Sequence, residues 1–314
     1  MNRPSHRSRI LVTGPNGFLG QYVVNELMGQ GCEIVKVNGF DLLQETQALT
    51  AILTTRPEIV IHLAAPAPRS EKEQGTAFRE TLRMGMNVLD ASVLVGARFV
   101  TVAPKTVYTS ASFLGASIAG KSLPETYLTL GPAQDGVGEA KRAIAAACGR
   151  YQKQHGRSYA FLVLSSLYGP FEPALHLASH NGIGFMIKSI LDCSEAPEFA
   201  FSGMNGNEQL ECLYIQDAAQ AIVKAALMLD FNGVVNVAAG ESLSRSGLAA
   251  MISEMTEYGG KIHFDEVKSF PMLGLSGELA EKLLGWKAET KTALGLKQTV
   301  DWFMSEKATE GVKA

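Results

Sequence analysis

Cysteines are few and scattered in this chain of 314 residues. Cys32, Cys148, Cys193 and Cys212 form no CxxC pair. That spacing excludes a zinc cluster or a disulfide framework, and reduced thiols in a cytoplasmic setting are expected. Long apolar runs are also missing. A run such as Ile59–Ala65, interrupted by His62, falls far short of the roughly 20 residues that span a bilayer. The polar, basic stretch Met1–Arg9 leads straight into an apolar strand, with none of the long apolar stretch of a secretory signal. Excess positive charge is absent too, with 28 Lys and Arg against 31 Asp and Glu and a net charge of −3. No basic cluster is interleaved with aromatics, so neither nucleic acid nor an anionic membrane is an expected partner. There is no internal repeat and no low-complexity segment. What remains is a chain with 46% hydrophobic residues, 19% charged residues and 31 glycines, the composition of a globular protein with many turns. At about 150 residues per domain, its length suggests two domains.

The first half alternates short apolar runs with helical patterns. Strands are expected at Ile10–Thr13, Glu33–Val37, Ile59–His62, Phe99–Val102 and Tyr159–Leu164. Helices are expected at Gly20–Met28, Glu45–Thr55, Thr81–Val95 and Gly138–His155. Alternation of this kind implies βαβ units and a parallel sheet, and the continuously apolar strands imply cover on both faces. The expected fold is α/β, a Rossmann-type doubly wound parallel sheet with a smaller C-terminal substrate-binding domain. Residues 1–166, with 217–238 folding back as a helix and a returning strand, would form the first domain. Residues 167–216 and 239–314 would form the second. Within the second, 167–181 reads as loop, Gly184–Leu191 as helix, and Leu243–Tyr258 as a helix capped by Ser242 or Ser244.

The run Gly14-Pro15-Asn16-Gly17-Phe18-Leu19-Gly20 has the spacing GxxGxxG between an expected strand and an expected helix. In that context the first glycine permits a tight turn, the second lets backbone approach a pyrophosphate, and the third lets helix pack close on strand. The helix N-terminus then offers free N–H groups to phosphate. Dinucleotide binding follows, with Gly14, Asn16, Gly17, Phe18, Leu19 and Gly20 as its candidates.

Four further motifs follow this turn in order. They are His62-Leu63-Ala64-Ala65, Val107-Tyr108, Tyr168-Gly169-Pro170 and Leu284-Gly285-Trp286. Together they resemble the extended short-chain dehydrogenase/reductase family of NAD-dependent epimerases and dehydratases. The short second βα unit and Phe40-Asp41-Leu42-Leu43 look most like its GDP-L-fucose synthase and dTDP-4-dehydrorhamnose reductase branch. The similarity runs from about Arg9 to Phe303. It implies an NAD cofactor, with NADP possible, because the residue expected at the ribose is the uncharged Asn38. Asp41 matches the contact to the adenine amino group, with Leu42 beside it. Leu63, Ala64 and Ala65 would line the pyrophosphate path, and Leu167 completes the cofactor set. His62 reads as a packed strand-end histidine.

The resemblance also exposes losses. The family's Tyr and Lys, spaced YxxxK, fall on Val137 and Lys141, and valine cannot donate or titrate. Its serine falls on Pro104, and the acidic pair of its dehydratases falls on Lys105 and Thr106. Its phosphate-binding Arg falls on Leu210, and an Asn of the central helix on Thr81. Lys141 and Thr106 therefore remain as the catalytic candidates. Lys105, Tyr108, Asp135 and Glu139 are possible stand-ins for the missing groups, and His176 and His180 are possible substrate contacts. The expected function is an NAD(P)-binding epimerase, dehydratase or reductase acting on a nucleotide-diphosphate sugar with an atypical acid/base set. The alternative is a non-catalytic NAD(P)-binding partner of another enzyme. Family dimers imply a homodimer pairing the helices at Thr81–Val95 and Gly138–His155, with Ala143, Ala146, Ala147 and Tyr151 at the seam.

Overall fold

A computed structural model describes residues 8–35, 39–66, 71–114, 121–172, 182–267 and 274–313. The chain opens with β1 (Arg9–Thr13), α1 (Phe18–Gly29), β2 (Glu33–Val35), α2 (Glu45–Thr55) and β3 (Ile59–His62). It continues through α3 (Glu71–Val95), β4 (Arg98–Pro104), the single-turn α4 (Ala111–Leu114), α5 (Gly136–His155) and β5 (Tyr159–Leu164). The later part holds β6 (Ser166–Tyr168), α6 (Ile183–Asp192), β7 (Glu198–Phe201), β8 (Gln209–Leu210), β9 (Cys212–Tyr214), α7 (Ile215–Leu227) and β10 (Gly233–Val237). It ends with β11 (Leu243–Ser244), α8 (Arg245–Met255), β12 (Lys261–Phe264), α9 (Glu278–Leu284) and α10 (Thr292–Lys313).

Six strands form one sheet in the order β10-β5-β4-β3-β1-β2, and all its pairs are parallel. Ile10, Val60, Ile61, Val100 and Leu162 are wholly or almost wholly buried, because helices cover both faces. One face packs against α1 and α7 through Val23, Leu27, Ala218 and Ile222. The other packs against α2, α3 and α5 through Ile52, Val88, Leu89 and Ile144. The strand order reverses between β1 and β3. Their C-terminal ends therefore open a crevice at a topological switch point, where such sheets bind ligands.

A second body of buried residues unites α6, α8 and α10 through Ile187, Ile252 and Val300. The parallel pairing of β6 with β9 links it to the sheet. Several boundaries differ from expectation. Helix α3 begins at Glu71, ten residues before the expected Thr81, because its first turns are polar and show no apolar stripe. Residues 167 and 168, expected as loop, lie in β6. Only Ser244 caps α8, its Oγ accepting from the Gly247 N–H at 3.0 Å, and Leu243 pairs with Leu210 instead of starting the helix.

Candidate functional site

The glycine turn is built from close backbone approaches. Gly14 has φ +70°, in the left-handed region that favours glycine. A Cβ there would lie 3.0 Å from the Ala64 nitrogen. Gly17 caps α1, and its N–H donates to the Gly14 carbonyl at 3.1 Å. No side chain caps α1 and no acid sits in its first turn. The positive end of the α1 dipole therefore lies beside Pro15, Asn16 and Gly17, which are exposed. A Cβ on Gly20 would fall 2.0 Å from the Gly14 oxygen, so only glycine lets α1 sit this close. Phe18 is buried beneath the turn. Leu19 packs against the sheet core.

Thr13 ties the far wall to this turn. Its hydroxyl accepts from the Ala64 N–H at 3.2 Å and bonds to His62 Nδ1 at 2.8 Å. Its carbonyl accepts from the Leu63 N–H at 3.2 Å. The structure thus brings Gly14, Leu63 and Ala64 together at the switch point, with Ala65 exposed beside them. A pyrophosphate fits this cradle of glycine backbone at the helix start, which a Cβ at Gly14 or Gly20 would disrupt. Asp41 is exposed, and its Oδ1 accepts from the Leu43 N–H at 2.9 Å in a turn before α2. The Leu42 carbonyl accepts from Asn87 Nδ2 at 2.9 Å. Leu167 is half-buried in β6, in register with Leu213. Asn38, His176 and His180 lie outside the described residues.

The altered catalytic positions sit close together. Pro104 ends β4, exposed, and Lys105–Val107 form a single 3-10 turn. That turn is fastened to the start of α5. Gln134 N–H donates to the Thr106 carbonyl at 2.8 Å, and Arg142 Nε donates to the Val107 carbonyl. A Cβ on Gly138 would lie 2.6 Å from the Thr106 oxygen. Val137, half-buried, is the neighbour of Gly138. Thr106 Oγ1 is buried with no hydrogen-bond partner among the described residues.

Lys141 points inward. It is 2% exposed, and its Nζ lies 3.4 Å from Thr101 Oγ1. Burial lowers its amine to about 8, against a small opposing pull from Cys148. Burial, followed by the nearby Lys141 charge, holds His62 well below its ordinary value, so its imidazole is neutral. His62 stacks on Phe99, as a packed strand-end histidine does.

Three possible stand-ins are otherwise engaged. Asp135 Oδ1 caps α5, accepting from the Gly138 N–H at 2.6 Å. Glu139 Oε1 accepts from the Ala133 N–H at 2.7 Å. The Tyr108 hydroxyl donates to Asn236 Oδ1 at 2.6 Å, and burial raises its pKa.

A charged cluster that the sequence reading missed lies where the second body meets the sheet. Glu211 is 5% exposed, and its carboxylate accepts N–H groups of Ala239 at 3.1 Å and Leu275 at 2.9 Å. Burial raises its pKa, while those bonds, the Ser165 hydroxyl and the Lys105 charge oppose the rise. Glu172, also buried, is pushed up to about 7 by desolvation, and its Oε2 has no partner among the described residues. Arg245 Nη2 pairs with Glu208 Oε2 at 2.9 Å. Burial pushes the Cys212 thiol up to about 12. Leu210, where a phosphate-binding Arg was expected, is buried in β8. One sign of this cluster was available in the sequence, a glutamate embedded in the apolar run Leu210–Leu213. Two surface concavities, of about 420 Å³ around Phe264 and about 300 Å³ around Arg79 and Arg83, include no residue of either turn.

Comparison with known proteins completes the picture. The NAD dependent epimerase/dehydratase family model matches residues 10–238. A GDP-L-fucose synthase of Sinorhizobium fredii is 24% identical over 311 residues, covering 96% of each chain. The structure of RMD from Pseudomonas aeruginosa complexed with NADPH superposes with a TM-score of 0.82 at 19% identity, covering 95% of this chain and 99% of that one. A UDP-glucose 4-epimerase of Thermus thermophilus in complex with NAD gives a TM-score of 0.76 at 21% identity, covering 94% and 99%. The fold is Rossmann-like, and the chain belongs to the NAD dependent epimerase/dehydratase family.

Proposed function

We propose that this family member binds NAD or NADP in the crevice of Gly14–Gly20 and acts on a nucleotide-diphosphate sugar with an acid/base set of its own. The observation that carries the reading is the glycine cradle, where two Cβ atoms would collide with backbone at 3.0 and 2.0 Å. Asn16, Gly17, Phe18 and Leu19 would present α1 to the pyrophosphate, and Leu63, Ala64 and Ala65 would line its other side. Asn38, Asp41 and Leu42 would meet the adenosine. Lys141 and Leu167 would meet the nicotinamide ribose, and Thr106 would offer its hydroxyl to the sugar. When bound, the nicotinamide supplies or accepts a hydride. Residues 1–166 and 217–238 would hold the dinucleotide, with 167–216 and 239–314 closing over the sugar nucleotide. The exposed Ala143 and Ala146 on α5 suit pairing with a second copy.

Isothermal calorimetry with NADH and NADPH tests the reading. Micromolar binding is expected, weakened at least tenfold by Gly14→Ala, because a Cβ 3.0 Å from the Ala64 nitrogen at φ +70° forces the cradle to shift. Absence of binding to either dinucleotide refutes it. A second reading, a non-catalytic partner protein, draws on the engagement of Asp135 and Glu139 in backbone bonds and on Val137 and Pro104. Binding of cofactor without turnover of any sugar nucleotide, together with co-purification of a distinct enzyme, would favour it.

A further inference from the structure

The missing tyrosine leaves a proton to be moved, and Lys105 sits on the turn packed beside that position. Lys105 starts the turn that closes β4 on the crevice side of the sheet. That turn is clamped against the N-terminus of α5, within a residue of Val137, by the close approach of Gly138 to the Thr106 carbonyl. Lys105 is half-buried, so it is neither a freely solvated surface lysine nor a core residue. Four groups act on it electrostatically from the second body. Cys212, Glu211 and Glu208 come from the β8–β9 segment, and Arg245 from the start of α8.

We propose that Lys105 is the proton donor and acceptor for the substrate oxygen at the reacting carbon, serving from the end of β4 as a tyrosine at position 137 would from α5. The inference rests on the NAD(P) and sugar-nucleotide reading above. In the reducing direction, a hydride moves from a dihydronicotinamide to the carbonyl carbon of a keto-sugar. The C=O π pair moves to oxygen, a Lys105 N–H bond breaks, and an O–H bond forms. The products are an alcohol, an oxidised nicotinamide and a neutral amine, which regains its proton from water. The reverse direction returns the proton to the amine. Burial lowers the Lys105 pKa, which suits a group exchanging protons nearer neutrality, and Glu211 limits that fall.

The test labels the amines of the full-length chain with acetic anhydride across pH, read lysine by lysine by peptide mass spectrometry. Lys105 is expected to reach half-reactivity at lower pH than the exposed Lys153 and Lys261, and Glu211→Gln is expected to lower that pH further. Saturating NADH or NADPH is expected to slow acetylation of Lys105 at least tenfold and leave Lys153 unchanged. In parallel, GDP- and dTDP-linked keto-sugars are assayed with NADH and NADPH. Lys105→Met and Lys105→Arg are each expected to lower kcat at least 100-fold, with dinucleotide affinity by calorimetry within twofold of wild type, because a guanidinium releases no proton. Cofactor binding that leaves Lys105 acetylation unchanged would overturn the proposal. So would wild-type turnover by Lys105→Met, or no turnover by a wild-type chain that binds cofactor. Loss of calorimetric binding in the wild type would instead overturn the underlying cofactor reading, and the proposal with it. The cofactor-protection measurement uses the unsubstituted chain, so a misfolded variant cannot decide the question.

Discussion

Adding one methyl group to α1 should have opposite effects at its two ends. At Gly20 the new Cβ would lie 2.0 Å from the Gly14 oxygen and 3.0 Å from the carbonyl carbons of Gly14 and Pro15. Ordinary contact begins near 3.4 Å, so the overlap exceeds 1 Å and falls on backbone, which cannot rotate away. Either α1 lifts from the turn or the turn opens. Lifting α1 loosens Val23 and Leu27, both 0% exposed in the sheet core. Overpacking of this kind costs about 1–3 kcal/mol, and loosened packing adds to it. Alanine in place of glycine returns about 1 kcal/mol of helix propensity. The net expectation for Gly20→Ala is a loss of up to about 2 kcal/mol, to which loosened packing adds. At Gly29, the last residue of the same helix, nothing lies within 4 Å of the added Cβ. There Gly→Ala should gain up to about 1 kcal/mol.

The assay is urea unfolding followed by tryptophan fluorescence, since Trp286 is buried in the core that α1 packs against. NADH titration of the same samples reads the crevice. Gly20→Ala should move the midpoint down and abolish binding, while Gly29→Ala should move it up and leave binding alone. A Gly20→Ala variant as stable as wild type, with intact NADH affinity, would refute the claim that close helix–strand approach builds the crevice.

Three further outcomes are expected. Arg98→Met should cost about 2–4 kcal/mol in denaturant unfolding, because the buried guanidinium donates to the carbonyls of Phe231 at 2.6 Å and Ala225 at 3.1 Å, which would be left bare. Glu172, raised to about 7 from 4.5, binds its proton more tightly in the folded than in the unfolded chain, so stability falls as pH rises through that window. Glu172→Gln should remove that slope, gaining up to about 3 kcal/mol at pH 8 and nothing at pH 4. Lys141, lowered to about 8 from 10.5, has the opposite sign, and stability rises with pH between those values. Lys141→Met should therefore be up to about 3 kcal/mol more stable at pH 7, and this gain should vanish above pH 10.5.

The sheet was legible because its strands are continuous apolar runs, and Ile59–His62 appears with the bounds its sequence suggests. The glycine turn was legible because its spacing falls between a strand and a helix. The start of α3 was not, since residues 71–80 hold few apolar side chains and so show no apolar stripe. Strands β6, β8, β9 and β11 were hidden for a different reason. Each has two or three residues, and pairing between positions such as Leu167 and Leu213 leaves no local trace. In the site, Asp135 and Glu139 bind backbone N–H groups beside the start of α5, as polar side chains beside helix starts often do. Glu211 and Glu172 escaped notice because a lone carboxylate ordinarily reads as surface. Only the fold shows that both are 5% exposed.

The two halves of the site differ in how they resist change. The half proposed for the cofactor is made of backbone: a positive φ at Gly14, the start of α1 without a side-chain cap, and N–H groups of Leu63 and Ala64 that Thr13 holds in place. Each feature depends on glycine or on sheet geometry, so substitution elsewhere leaves it standing. The half proposed to move the proton is made of side-chain ends, and one substitution removes each. A chain can therefore carry Val137 and Pro104 and still keep an intact cradle. The same asymmetry keeps the Lys105–Val107 turn in place, because its carbonyls are clamped by the Gln134 N–H and the Arg142 guanidinium, whatever side chain position 105 carries. Changes at Gly14 or Gly20 should thus remove cofactor binding and turnover together, whereas changes at Lys105 should separate them.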